Sequence, residues 1–216
     1  MKNITLAQGN QVLNLILQKD VPCEQLQELL ASGLLSDLLD ANIQQVDRKK
    51  FREVLGLMTV LEQVGIVDLP STGKFIVNDH FTKDSKEVKF YGFGSNFQEN
   101  FLSKVEDPQK ETILRISKLK KNLLGDAPII AQLGNTVETA LANVWELLKK
   151  QSKGELGKLR INGHANIFYV RDAKGVLRAV YVHWSRNGWD VSVNSVEDPL
   201  EWGEDERVFS RHRTEA

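Results

Sequence analysis

Apolar positions recur at helical spacing through the first third of the chain. Leu6, Leu13, Ile16 and Leu17 share one face after Thr5, a capping residue type. Leu26, Leu29 and Leu30 form a second stripe, and Leu35, Leu38 and Leu39 a third within residues 34–41. Pro22 suits the first turn of the second helix, with Asp20 or Val21 at its start, and Gly33 suits its stop. Asp47 is placed to cap a fourth helix carrying Phe51, Val54, Leu55 and Met58 on one side. Residues 5–66 are therefore expected as short helices joined by tight turns, stabilised by packing more than by propensity.

The period changes near Gly65. Gly65, Pro70 and Gly73 interrupt the helical pattern, and extended segments are expected at 66–69, 75–78 and 88–93. The boundary falls between 59 and 73, giving a helical module of residues 1–66 and a mixed domain of residues 67–216. Within 92–108 a helix is expected, with Ser95 and Gln98 as a capping box and Phe97, Phe101, Leu102 and Val105 on its buried side. Asp107-Pro108 ends it. Strands are expected at 113–119 and 128–133. A helix then follows over 136–150, with Asn135 and Glu138 as its capping box and Val137, Ala140, Leu141, Val144 and Leu148 on one face. Lys149 and Lys150 complement its dipole, and Gly154 closes it.

The last fifty residues read as a three-stranded meander. Its turns are Asp172-Ala-Lys-Gly175 and Ser185-Arg-Asn-Gly188, each with glycine last, where a positive φ is expected. Trp189, Val191 and Val193 alternate with Asp190, Ser192 and Asn194 on the third strand. The middle strand, 176–184, is apolar on both faces, so it requires cover on both, one of them from the 136–150 helix. The tail after Phe209 is expected to fray. The fold class is α+β: a helical N-terminal module, then a mixed domain with a mainly antiparallel sheet packed by one or two helices.

Charge and chemistry narrow the function only a little. The formal net charge is -1, so no global field draws the chain to nucleic acid or an anionic membrane. Cys23 is the single cysteine, which excludes an intrachain disulfide. The first twenty residues lack the h-region of a signal peptide, and no run of eighteen apolar residues occurs. A cytoplasmic, non-membrane protein is the expectation.

No metal is expected, because His80, His164, His183 and His212 are widely spaced and Asp79, His80 and Asp84 read as a solvated turn. No cofactor or catalytic residue is assigned. No G-x-S-x-G elbow occurs, and Cys23 reads as a filler. Gly92, Gly94, Ser95 and Asn96 form one weak anion-binding candidate, a strand-to-helix loop that lacks both the third glycine of a dinucleotide fingerprint and a P-loop lysine. Arg115, Lys118, Lys120 and Lys121 make one basic cluster, and the segment from Lys149 to Arg160 makes another. Arg171, Arg178, Trp184, Arg186 and Trp189 are the candidate surface for nucleic acid or a protein partner, in competition with core packing.

The run NIFYVRDAKGVLRAVYVHW, then GWDVSVNSVEDPLEW and RVFSR, resembles a module that recurs in a family of bacterial proteins. The same family carries a leucine-rich helical N-terminus similar to LLASGLLSDLLDAN followed by FREVLGL. The resemblance spans most of the chain and implies a bacterial origin. It brings no activity, cofactor or site residue. Taken together, the expected function is non-catalytic binding, to a protein partner or to a second copy through the helical module. The alternatives are a nucleic-acid-binding regulator and a small-ligand enzyme built on the 92–96 loop.

Overall fold

A computed structural model describes residues 5–18, 21–47, 50–52, 55 and 59–212. The chain divides into two compact units, residues 1–55 and 56–216. The first contains α1 (Leu6–Gln18), α2 (Cys23–Ala31) and α3 (Leu34–Asp40). Thr5 and Gln8 form a reciprocal cap at the start of α1: the Gln8 N–H donates to Thr5 Oγ1, and the Thr5 N–H donates to Gln8 Oε1. Pro22 is the N-cap of α2, and Gly33, at φ +77°, separates α2 from α3. Asp47 Oδ1 accepts from the Lys50 N–H at a further helical turn. Asp20, Val54 and Met58 lie outside the described residues. None of the three helices buries a residue.

The second unit is α+β. Its strands are β1 (Leu61–Leu69), β2 (Phe75–Ile76), β3 (Phe90–Phe93), β4 (Val105–Glu106), β5 (Thr112–Leu119), β6 (Leu123–Leu124), β7 (Glu138–Thr139), β8 (Asn166–Arg171), β9 (Leu177–Ser185), β10 (Gly188–Ser195), β11 (Glu201–Trp202) and β12 (Arg207–Arg211). Its helices are α4 (Val77–His80), α5 (Ser95–Phe101), α6 (Ala127–Leu133) and α7 (Leu141–Lys150). The main sheet runs β1-β5-β12-β8-β9-β10-β3, with β7 added beside β8; two-stranded sheets β6/β11 and β2/β4 lie apart from it. Pairing is antiparallel except for β12 on β8, β7 on β8 and β3 on β10.

Alternation along the strands makes two cores, one on each face. Phe168, Val170, Val180, Val182, Trp189, Val191 and Phe209 face the α7 and α5 side, beside Leu141, Val144, Trp145, Leu148, Phe97 and Phe101. Ile167, Tyr169, Ala179 and Val208 face the other side, under Ile129 and Leu133 of α6 and beside Trp202. The middle strand of the meander is thus covered on both faces, by α7 on one of them as its apolar pattern requires.

Several local expectations are corrected. Residues 61–66, expected as the end of the helical module, form the first half of β1, paired to β5 from Leu61↔Leu119 onward. Residues 128–133 are helix α6, not strand, because Pro128 sits in a first turn and Gly134, at φ +55°, stops it. The cap of α5 is Gly94 and not Ser95, and α5 ends at Phe101, so Val105 lies in β4. The expected start of the 136–150 helix is early by five residues, since Glu138 and Thr139 pair with β8 and α7 begins at Leu141. At the second meander turn the positive φ falls on Arg186, at +52°, rather than on Gly188. Gly188 serves a different need: a Cβ there would stand 2.6 Å from the Tyr91 backbone nitrogen. Finally, of the tail expected to fray after Phe209, Ser210 and Arg211 are strand, and residues 213–216 lie outside the described residues. Both strand residues belong to β12, which lies between β5 and β8 with Phe209 and Ser210 fully buried.

Candidate functional site

The loop expected to hold an anion docks β3 onto β10. The Gly94 N–H donates to the Val191 carbonyl, and Asn96 Nδ2 donates to the Val193 carbonyl. A Cβ on Gly94 would approach Ser192 Oγ at 3.3 Å, and one on Gly92 would lie 3.9 Å from Asp190 Oδ1. Part of the donor set of an anion cradle is therefore bonded to the neighbouring strand, with a carboxylate close by. Gly92, Gly94, Ser95 and Asn96 are together in space, in a turn that joins strand to helix.

The five residues of the expected binding surface are divided between two ends of β9. At one end, Arg171 pairs with Glu138 at 2.9 Å and Arg178 with the buried Asp172 at 2.7 Å. Asp172 also accepts from the Lys174 and Val176 N–H groups, closing the first meander turn. At the other end lie Trp184, Arg186 and Trp189, roughly 20 Å away at 3.3–3.4 Å per residue. Trp189 is fully buried, and its Nε1–H donates to the Gln151 carbonyl at 2.8 Å. Trp184 is half-buried, meets Trp189 edge to face at 5.4 Å, and covers Gly154. Arg186 stacks over Tyr91 at 5.4 Å. Of the three candidates at that end, Trp184 and Arg186 reach solvent and Trp189 does not.

The two basic clusters meet in part. Lys118 Nζ lies 3.4 Å from Glu62 and 3.8 Å from Asp205, while the Arg160 guanidinium donates to the Asp205 carbonyl. Arg207, opposite Lys118 on β12, donates to the Lys158 carbonyl. Burial, and then the neighbouring Arg160 charge, hold Arg207 below the usual arginine range.

Two buried carboxylates outside any sequence motif organise the domain. Glu106 accepts from the Leu141 and Ala142 N–H groups at 3.0 and 2.9 Å, filling the N-terminus of α7 with a negative charge, and pairs with Lys104 Nζ at 2.7 Å. Asp126 Oδ1 accepts from Tyr169 Oη at 2.5 Å and from Trp202 Nε1 at 2.9 Å, while its Oδ2 has no partner. Burial pushes the Asp126 carboxyl above the usual carboxylate range, and desolvation pushes the Tyr169 phenol up as well.

A cleft of about 630 Å³ opens at the corner of the sheet where the ends of β1, β5 and β12 meet. Asp68, Glu111, Ile113, Arg211 and His212 are among the residues that line it. None of them belonged to an expected site, because three strands distant in sequence supply them. Among the described residues no group of three His, Cys, Asp or Glu side chains is arranged to hold a metal, and no helix is long and apolar enough to cross a membrane. No family model, no curated protein and no solved structure matches the chain, so the bacterial resemblance rests on the quoted runs alone.

Proposed function

We propose that the chain is a cytoplasmic, non-catalytic interaction protein that docks through the helices of its first unit. One observation carries this reading: α1, α2 and α3 bury nothing, and Leu6, Leu17 and Leu39 are 83%, 68% and 78% exposed. Large leucines left exposed at helical spacing, as Leu6, Leu13 and Leu17 are on α1, support a docking face. Full burial of a leucine gains roughly 1.5–3 kcal/mol. Covering Leu6, Leu13, Leu17 and Leu39 would then gain roughly 6–12 kcal/mol, the same size as the general cost of association. The expected interaction is consequently weak and concentration-dependent.

Light scattering across a concentration series, together with retention of proteins from lysate on the immobilised chain, tests the reading. Self-association, or a retained protein, that disappears in a Leu13→Asp, Leu17→Asp variant supports it. A monomer at every concentration that retains nothing the variant does not also retain removes its support. A second reading, a nucleic-acid-binding regulator, draws on the convergence of Lys118, Arg160 and Arg207 from three segments. Its test is a mobility shift with oligonucleotides that weakens as salt rises, because phosphate neutralisation releases counterions.

A further inference from the structure

The cluster of aromatic rings beside β3 reaches the surface in a pocket of about 300 Å³. Two of its rings, Phe81 and Phe93, line that pocket. Phe81 is 2% exposed and sits among Phe75, Phe90, Phe97 and Trp145, with ring centroids 5.3–6.3 Å away. Phe93 meets Phe81 edge-on at 6.5 Å and lies 4.8 and 5.8 Å from Phe90 and Phe97, yet it stays half-buried. Asn78 of α4 lines the pocket too, with Thr82 and Lys83 from the turn after it. Gln98 of α5 and Leu102 at its C-cap complete the wall, four residues apart on one helix face.

Hydrogen bonds within the protein already hold these walls in place. The Phe81 N–H donates to the Val77 carbonyl at 2.9 Å, and the Ser85 N–H closes a turn onto the Thr82 carbonyl at 3.1 Å. That turn fixes the backbone carrying Lys83. Gln98 Nε2 donates to the Phe93 carbonyl at 2.9 Å and ties α5 to the end of β3. Among the described residues Lys83 is the one charged side chain of the lining, and it is exposed and makes no ion pair. A floor of apolar rings with a single ammonium at the rim matches a ligand of the same two parts, a flat apolar body and one negative charge. Space suffices, because a cavity of about 150 Å³ already accepts a benzene ring.

We propose that this pocket binds a small aromatic carboxylate, with its ring against Phe93, Phe81 and Leu102 and its carboxylate toward Lys83. The ring contacts supply most of the affinity, since Phe81 and Phe93 are held by their neighbours and lose little freedom on contact. Lys83, being exposed, selects for charge more than it tightens binding. A second carboxylate on the ligand would meet no cation of the lining. Every lining residue belongs to the second unit, so this reading does not rest on the helical docking surface.

A backbone amide NMR titration of the full chain at constant ionic strength tests it, with benzoate, acetate and benzyl alcohol as probes. Benzoate is expected to give saturable shifts at 78, 81–83, 93, 98 and 102, with a Kd on the order of 1 mM. Acetate, which lacks the ring, is expected to bind at least about tenfold more weakly. Benzyl alcohol, which lacks the charge, is expected to bind roughly two- to fivefold more weakly, the worth of one exposed ion pair. Lys83→Met brings benzoate down to the level of benzyl alcohol and leaves benzyl alcohol unchanged, while Lys83→Arg retains the difference. Absence of saturable shifts at these residues overturns the proposal, as does acetate or benzyl alcohol binding as tightly as benzoate. Benzoate binding that survives Lys83→Met unchanged overturns it too.

Discussion

Replacing Glu106 with alanine isolates the interaction that seats α7 on the domain. The first N–H groups of any helix lack intrahelical partners, and the α7 cap residue, Ala140, has no side chain able to accept from them. Asn143 Oδ1 accepts from Ala140, and Glu106 alone reaches Leu141 and Ala142. Glu106 is 6% exposed, so neither amide would find bulk water once the carboxylate is gone. Each buried unsatisfied donor costs about 1–3 kcal/mol. Lys104 loses its ion pair as well, though its bond to the Arg171 carbonyl remains. Summed with the usual non-additivity, Glu106→Ala is expected to cost about 3–5 kcal/mol, the range seen on breaking a buried pair. Glu106→Gln retains an acceptor oxygen but turns an amide toward one helix N–H, and is expected to cost about half as much. Urea denaturation followed by tryptophan fluorescence measures both, since Trp145, Trp184, Trp189 and Trp202 all lie in the second unit. A loss below about 1 kcal/mol for Glu106→Ala, the value of an exposed pair, would refute the argument. Equal losses for the two variants would refute the part assigned to charge.

Gly188→Ala is expected to destabilise by about 1–3 kcal/mol, because the new methyl would meet the Tyr91 nitrogen and Phe90 carbon of the backbone at 2.6 and 2.7 Å, where no flexible side chain can yield; an unchanged urea midpoint would show that β3 moves freely. Asp126 supplies a pH prediction. Its folded pKa lies above the unfolded one, so its contribution is fully present below the unfolded carboxylate value of about 4 and fades as pH rises through the folded value. Asp126→Asn cannot ionise, so it should gain on the wild type as pH is raised from acid toward neutral. Urea midpoints of both proteins across that range give the answer, and a constant gap would refute it.

The parts legible in the sequence were those whose instructions are local. Strand β10 alternates with period two, β8 and β9 are runs rich in β-branched and aromatic residues, and glycine stands at both turns, so their order and extent could be read directly. The errors arose where a local signal imitated a distant one. Asn135 and Glu138 have capping-box spacing, yet the helix N-terminus that needs an acceptor is served by Glu106, 35 residues before Leu141. Residues 128–133 are a short apolar run for which periodicity cannot separate strand from helix, and Pro128 with Gly134 carried the better information. The core position of Trp189 follows from its alternation with Asp190, which the sequence did offer as the rival to a binding surface. The corner cleft could not be read at all. Asp68, Glu111 and His212 meet only because β1, β5 and β12 adjoin, and no spacing along the chain encodes that adjacency.

The place of β12 bears on how the protein comes to exist during synthesis. It lies between β5 and β8, antiparallel to one and parallel to the other, so the β1–β5 pair and the β8–β10 meander have no direct ladder between them. A nascent chain can form each half early, but both halves expose a bare edge until residues 207–211 leave the ribosome. Closure therefore waits for nearly the whole described sequence, which makes the topology slow and its half-built forms prone to wrong strand partners. A nascent chain that has emerged past Ser195 but not as far as Arg207 would hold two unfinished sheets rather than a smaller domain.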